Sequence, residues 1–130
     1  MSIKYSVKIE HYAERHFIKK FARKYGRAWE ITIETLIREL ESFEVLLTRT
    51  IAEMITETAD IKICKVEFKI AGTDQSRHSS GNRCIVAIHK DTNIIDVLLI
   101  YHKNDLGDGN ETAQWKNIIK ENYLQYSRLF

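Results

Sequence analysis

The fold is decided by the stretch KICKVEFKIAGTDQSRHSSGNRCIVAIHKDTNIIDVLLIYHK, residues 62–103, which contains three strand-like segments. In residues 62–70 apolar and charged side chains alternate, as they do in a strand that is buried on one side. Residues 83–89 form the second segment, and residues 94–102 form the third, which is apolar on both faces as a central strand is. The alternation and the short turn at 91–93 predict that the three segments pair as adjacent antiparallel strands.

The sequence before this stretch indicates one strand followed by helices. Residues 3–9 alternate between apolar and polar and predict a half-buried first strand. From His11 apolar residues recur at helical spacing, and Gly26 predicts the end of that helix. A second amphipathic pattern covers residues 28–57, and it fits either one long helix or two helices that join near Ser42.

The chain ends with a further amphipathic segment, residues 111–129, which predicts a closing helix. The order of elements therefore predicts an α+β fold, in which a small antiparallel sheet packs against N-terminal helices and is followed by a C-terminal helix. The hydrophobic content of 44% fits one core, so residues 1–130 are expected to form a single domain.

Several kinds of protein are excluded by what the sequence lacks. No stretch is long and apolar enough for a membrane span, and the N-terminus lacks the pattern of a signal peptide. Cys64 and Cys84 are too few for a disulfide framework or a zinc site, and they fit two core residues in a reducing compartment. No metal-ligand spacing or glycine-rich phosphate loop is present. We therefore expect a cytoplasmic protein that needs no cofactor or metal and has no membrane contact.

The net charge of +2 conceals a basic zone in the first helix. Arg15, Lys19 and Arg23 have the spacing of one helical face and could contact the phosphates of RNA. The solvated side of an ordinary amphipathic helix has the same pattern. Both interpretations stay open at the level of sequence.

Basic side chains also cluster in and between the three predicted strands. The set comprises Lys65, Lys69, Arg77, His78, Arg83, His102 and Lys103. In an antiparallel sheet, Lys69, Arg83 and His102 are expected to meet on one exposed patch. Such a patch suits a phosphodiester substrate, because cations neutralise phosphate charge and a His or Lys can move protons. The alternative is that the alternating lysines only solvate a sheet face or protect an edge strand.

Five segments carry a family resemblance: YSVKIE (5–10), FIKKFARKYG (17–26), CKVEFKIAG (64–72), SGNRCIVAIHKD (80–91) and IIDVLLIYHKND (94–105). In these segments the chain resembles the RelE/ParE toxin superfamily, and in particular its RelE-like mRNA interferases. The resemblance covers most of the chain and implies a small antiparallel sheet backed by helices.

The resemblance implies that the chain is a toxin of a type II toxin–antitoxin system. Such a toxin binds a cognate antitoxin and cuts mRNA in the ribosome without a metal. On this pattern the catalytic residues are Lys69, Arg83, His102 and Lys103. The resemblance also matches Lys65 to a basic strand position. Together with the basic residues of the loop and of the first helix, the candidate RNA contacts are Lys65, Arg77, His78, Arg15, Lys19 and Arg23. A ParE-like toxin that inhibits gyrase, or a non-catalytic relative that binds RNA or a protein, is the alternative.

A last expectation concerns a partner surface in the long amphipathic region. Phe43, Leu47, Ile51, Met54 and Ile55 form an apolar stripe if this region is helical to its end. Part of the stripe could form a groove for an antitoxin helix or for a second copy of the chain. The alternative is that all of it belongs to the core.

Overall fold

The structure is a computed structural model that describes residues 3–107 and 109–130. Its strands are β1 (Ser6–Ile9), β2 (Ala52–Glu57), β3 (Ile61–Phe68), β4 (Asn82–His89) and β5 (Ile94–His102). Its helices are α1 (His11–Ala13), α2 (Lys19–Tyr25), α3 (Arg27–Glu41), α4 (Phe43–Thr48), α5 (Arg77–Ser80) and α6 (Glu111–Asn122). A π-helical turn (Glu14–Ile18) joins α1 to α2, and 3-10 turns cover Lys103–Asp105 and Leu124–Leu129. The predicted α+β class is confirmed.

The described strands form one sheet in the order β1-β5-β4-β3-β2. β3, β4 and β5 are adjacent and antiparallel, which confirms the pairing predicted for residues 62–70, 83–89 and 94–102. β2 pairs antiparallel with β3 at one edge. At the other edge β1 runs parallel to β5, with Ser6 opposite Ile94, so this edge departs from a wholly antiparallel sheet.

Helices cover both faces of the sheet, and β4 shows how the two cores divide. Cys84, Val86 and Ile88 belong to the core that packs against α2, α3 and α4. Ile85 and Ala87 belong to a second core with α6 and the C-terminal 3-10 turn. The period-2 geometry of a strand separates these two sets. Both the N-terminal helices and the C-terminal helix therefore lie where they shield apolar strand residues.

The amphipathic region 28–57 contains two helices and a strand, so the prediction of helix over its last part is wrong. The two helices, α3 and α4, meet at Ser42, which is the second of the two arrangements that the sequence left open. Helix ends at Thr48, and residues from Ala52 to Glu57 form the edge strand β2.

A specific motif ends α4. Thr50 adopts a positive φ of 55°. Its N–H donates to the carbonyl of Leu47, and the N–H of Ile51 donates to the carbonyl of Leu46, at 3.2 and 3.0 Å. These two bonds define a Schellman C-cap. The cap turns the chain out of the helix, after which β2 pairs with β3.

This chain reversal also removes the predicted apolar stripe. Phe43 and Leu47 pack in the core beneath the sheet, whereas Met54 is exposed on the edge strand. Ile55 belongs to the core on the opposite face. Because these side chains lie on different elements and faces, they do not form one helical surface or groove.

Thr50 offers a direct test of the cap. A β-carbon at positive φ costs about 1 kcal/mol, which glycine avoids. Thr50→Gly is therefore expected to raise the free energy of unfolding by about this amount, measured by urea denaturation. The matched control is Thr48→Gly, which places glycine inside α4 and should lower stability. Lower stability in both variants would contradict the Schellman assignment.

The C-terminal helix is shorter than predicted, since α6 ends at Asn122. The hydroxyl of Tyr123 donates to the carbonyl of Leu98, and that of Tyr126 donates to Asp96, at 2.7 and 2.9 Å. The chain leaves the helical path at Tyr123, where φ is −129° and ψ is 86°. These bonds fasten the last segment to the central strand β5. None of the helices in residues 3–107 and 109–130 is long and apolar enough to cross a membrane.

Candidate functional site: a cation-lined cavity at the end of the sheet

An open cavity of about 600 Å³ lies where β3 ends and β4 begins, on the sheet face that α6 partly covers. We call it the Arg83 cavity. The basic residues that the sequence singled out and that line it are Lys65, His78, Arg83 and Lys103. The other lining residues are Thr50, Ile51, Ala52, Glu53, Glu67 and Glu111. The sheet thus brings together residues from both ends of the predicted basic region.

Strand register explains why these side chains meet. Glu67 of β3 lies opposite Arg83 of β4, which in turn lies opposite Tyr101 of β5. Directly opposite residues project from the same face of a sheet. Lys65 precedes Glu67 by two positions and shares that face.

Arg83 is held firmly at the floor of the cavity, with only 5% of its side chain exposed. Its guanidinium donates to the backbone carbonyls of Asn82 and His78 at 3.0 and 3.1 Å. The same group lies 3.3 Å from the carboxylate of Glu67. Arg83 therefore supplies a fixed positive charge and also joins β4 to the turn that carries His78.

That turn, α5, has its own anchors. Ser76 and Ser79 form a capping box at its N-terminus. The guanidinium of Arg77 makes two hydrogen bonds to Glu39 of α3, and the hydroxyl of Ser80 donates to the carbonyl of Phe68 at 2.6 Å. These contacts fix the backbone beneath His78 against both α3 and β3.

His78 and Glu67 form a dyad at the mouth of the cavity. Nδ1 of His78 lies 2.6 Å from Oε2 of Glu67, the same oxygen that faces Arg83. The imidazole is 85% exposed, so its Nε2 can reach a solvent-borne substrate. A carboxylate that orients an imidazole in this way is the arrangement that proton-transfer sites use.

Lys65 lies on the opposite wall beside Glu111, with 3.9 Å between its ammonium and that carboxylate. The hydroxyl of Tyr101 donates to the same carboxylate at 2.8 Å. Burial, followed by the hydrogen bond to Glu111, raises the pKa of Tyr101 far above its ordinary value of 10.0. The phenol thus stays protonated and continues to hold Glu111 in place as a hydrogen-bond donor.

The formal charges of the cavity nearly cancel. Lys65, Arg83 and Lys103 contribute positive charge, and Glu53, Glu67 and Glu111 contribute negative charge. A phosphate that enters must displace or bypass some carboxylate contacts. The cavity is therefore selective about where an anion can sit, because only the side away from the carboxylates attracts it.

Lys69 and Arg77 lie elsewhere. Both line a small cleft of about 120 Å³ beside α3, together with Glu39. The ion pair between Arg77 and Glu39 gives Arg77 a structural role in that cleft. Neither side chain is among the lining residues of the Arg83 cavity.

His102 lies on the opposite sheet face, so the prediction of one exposed patch with Lys69, Arg83 and His102 is wrong. Neighbouring strand residues point to opposite faces, and Tyr101 rather than His102 shares the face of Arg83. His102 lines a separate cavity of about 460 Å³, which we call the His102 cavity. Lys103 follows β5 in a 3-10 turn and reaches the Arg83 cavity instead.

Arg15, Lys19 and Arg23 are exposed on the N-terminal helical segment. In the described chain they are not among the residues that line the Arg83 cavity. The two interpretations of this stripe, RNA contact or solvated face, remain as the sequence left them.

Sequence reasoning missed the carboxylates of the cavity. The alternating pattern predicts only that Glu67 lies on a charged strand face, whereas the structure places it directly opposite Arg83. An opposite-charge pair across two strands is a usable signal once the register is known. Glu111 comes from the first turn of α6, and no local pattern connects it with Lys65. Across residues 3–107 and 109–130, no three His, Cys, Asp or Glu side chains are placed to hold a metal ion.

Comparison with known proteins gives one informative match. No protein-family model and no curated protein matches the chain. Among solved structures, the archaeal RelE–RelB complex from Pyrococcus horikoshii OT3 matches at 14% identity and a TM-score of 0.50. The match covers 78% of this chain and 98% of that chain. The protein therefore has a RelE-like fold.

Proposed function

We propose that this protein is a RelE-like toxin of a type II toxin–antitoxin system that cleaves mRNA in the ribosome. The proposal rests on one observation. The fold is RelE-like, and one of its cavities is lined by Lys65, His78, Arg83 and Lys103. Cations bind the phosphate and stabilise charge that develops on it, and an oriented imidazole moves protons. Ribosomes and mRNA place this activity in the cytoplasm.

The proposed reaction uses the substrate's own 2′-hydroxyl as the nucleophile. This oxygen attacks the adjacent phosphorus, the bond to the 5′-oxygen breaks, and the products carry a 2′,3′-cyclic phosphate and a 5′-hydroxyl. His78, oriented by Glu67, takes the proton from the 2′-hydroxyl. Lys65 and Lys103 bind the phosphate oxygens, and the guanidinium of Arg83 stabilises the negative charge that builds up. Lys103 protonates the leaving 5′-oxygen.

This assignment revises the sequence-based roles. His102 and Lys69 leave the catalytic set, because they lie outside the Arg83 cavity. His78 moves from RNA contact to proton transfer, since it is the cavity's imidazole and has a carboxylate partner. Arg77 acts indirectly, by anchoring the turn that carries His78.

The proposal includes an antitoxin partner. In the matched structure RelE is in complex with RelB. We infer that a cognate antitoxin binds this chain as well and keeps it inactive. The exposed edge strand β2, with Met54 on its surface, offers unpaired backbone groups to such a partner.

A non-catalytic role, including a ParE-like one, is the second candidate. The near balance of charge in the Arg83 cavity favours it, because Glu53, Glu67 and Glu111 oppose an entering phosphate. A protein target that carries its own cations would tolerate these carboxylates better than RNA does.

The test combines growth with direct detection of cleavage. Induction of the chain should arrest growth, and primer extension on total mRNA should reveal new 5′ ends. Lys65→Ala combined with Lys103→Ala should lower the cleavage rate by about 100-fold or more, since both phosphate contacts are lost. The control is Lys120→Ala on the exposed side of α6. Growth arrest with intact mRNA would instead support the second candidate.

A further inference from the structure

The His102 cavity has the size and the polar groups of a second binding site. Its volume of about 460 Å³ falls in the range of small-molecule pockets. It lies on the sheet face that α2 covers, whereas the Arg83 cavity lies on the face that α6 covers. Asn82 and His102 are directly opposite each other in the β4–β5 pair, and both line this cavity.

Asn82 carries the most informative atom. Its side chain is 97% shielded, since only 3% of the residue is exposed. Its backbone N–H donates to the hydroxyl of Ser80 at 3.1 Å. Its side-chain oxygen is buried and accepts no hydrogen bond from any residue in the described part of the chain. Buried acceptors without donors are rare and destabilising, so a donor on a bound molecule would satisfy this one.

His102 supplies a donor next to this acceptor. Its Nδ1 accepts a hydrogen bond from the backbone N–H of Asn104 at 3.1 Å, so the neutral ring carries its proton on Nε2. The ring packs over Gly81, where an added β-carbon would lie 2.7 Å from Nε2. Gly81 also has a positive φ of 77°. This position therefore requires glycine, and glycine lets the ring sit close to the strand.

The rest of the lining combines three apolar residues and two lysines with Thr73, Gln75, Ser80, Asn104 and the carboxylate of Asp105. Phe21, Tyr25 and Ile70 form flat or aliphatic surfaces. Lys20 and Lys24 of α2 are exposed at the mouth. An acceptor, a donor, apolar walls and rim cations together match a nucleotide, which has a flat base with a polar edge and an anionic phosphate.

We propose that the His102 cavity binds an adenine nucleotide. On binding, the amide of Asn82 turns its shielded side-chain oxygen toward the cavity, where it accepts from the exocyclic amine of the base, and Nε2–H of His102 donates to a ring nitrogen. Adenine presents a donor and an acceptor side by side, which suits this pair. Lys20 and Lys24 bind the phosphate. The nucleotide is either free or part of an RNA chain, and the proposal does not depend on RNA cleavage at the Arg83 cavity.

Isothermal titration of the full chain with AMP, GMP and adenosine tests the site. AMP should bind about tenfold more tightly than adenosine, because adenosine lacks the phosphate. GMP should bind more weakly than AMP, since it carries an acceptor where adenine has its exocyclic donor. Lys20→Ala with Lys24→Ala should reduce AMP affinity to the adenosine level. The matched control is Arg27→Ala with Arg38→Ala, which changes exposed cations of α3 outside the cavity.

Asn82→Leu tests the base contact separately. The change should abolish the preference for AMP over GMP. It should also leave the thermal midpoint without ligand unchanged or higher, because it removes a buried acceptor that lacks a donor. If Asn82→Leu fails to fold, the lysine variants decide the question.

The source of the nucleotide is resolved by a third arm, in which an oligoadenylate replaces AMP. Binding of the oligomer without binding of AMP assigns the site to RNA, and binding of both assigns it to the nucleotide itself. The proposal is overturned if neither binds at millimolar concentration, which would leave a cavity that holds only water. It is equally overturned if the lysine variants bind AMP as the unaltered chain does.

Discussion

His78→Ala is expected to lower the rate of RNA cleavage by roughly 100- to 10,000-fold, the usual contribution of a general acid or base. The reason is that His78 is the imidazole at the mouth of the Arg83 cavity, held 2.6 Å from the carboxylate of Glu67. Glu67→Gln should have a smaller effect, because an amide can still orient the ring but does not stabilise its positive charge. Single-turnover cleavage on programmed ribosomes measures both.

The control for this prediction is His11→Ala, which removes an exposed imidazole at the start of α1. A rate within a factor of about two of the unaltered chain is expected for it. If His78→Ala cleaves at the full rate while the Lys65/Lys103 double variant does not, proton transfer falls to a lysine. In that event the dyad serves only to hold α5 in place.

Arg83→Ala is expected to lower the free energy of unfolding by roughly 2–4 kcal/mol. The buried guanidinium contacts two backbone carbonyls and Glu67, and its removal takes a charged donor from the carbonyls and the buried cation from Glu67. Urea denaturation measures the loss. Any fall in toxicity of this variant must therefore be corrected for the fraction of folded protein.

A double-mutant cycle measures the interaction energy between Arg83 and Glu67 apart from their other contacts. Arg83→Ala combined with Glu67→Ala should cost less than the sum of the two single changes, because each removes the other's partner. Lys69→Ala combined with Glu67→Ala is the matched comparison, since Lys69 is a strand-end cation that lines a different cavity. Strict additivity for Arg83 and Glu67 would show that their 3.3 Å approach contributes nothing to stability.

The sheet was predictable because its strands are regular. Alternation in residues 62–70 and the apolar segments 83–89 and 94–102 predicted these strands, and the short turn at 91–93 predicted that the last two pair antiparallel. The helical spacing predicts a helix through Ile51, Met54 and Ile55, and that prediction is wrong. These residues continue the periodicity of α4 across the Schellman cap, so the pattern alone could not reveal the change of direction. The available signal was that six of the eleven residues from Thr48 to Thr58 are β-branched.

The site was predictable only in part, for a geometric reason. Residue types and strand positions identified Lys65, Arg83 and Lys103. The face on which each strand-end residue points depends on register, and a shift of one residue exchanges the faces. Without the register, the sequence predicts His102 and Lys103 at one site, although the two residues line different cavities. Arg77 and Glu39 lie on separate elements, and only the tertiary structure joins them.

The parallel pairing of β1 with β5 has a consequence for the order in which the chain can assemble during its own synthesis. Ser6 lies opposite Ile94 and donates its N–H to the carbonyl of Asn93. β1 therefore cannot pair with its neighbour until β5 has been synthesised. Pairing across so much of the sequence is slow, whereas β4 and β5 form a local hairpin. Until β5 emerges, the apolar side of β1 has no strand to join. The Arg83 cavity includes Lys103 and Glu111, which follow β5, so whatever activity the cavity has appears only after β5 and the start of α6 have been made.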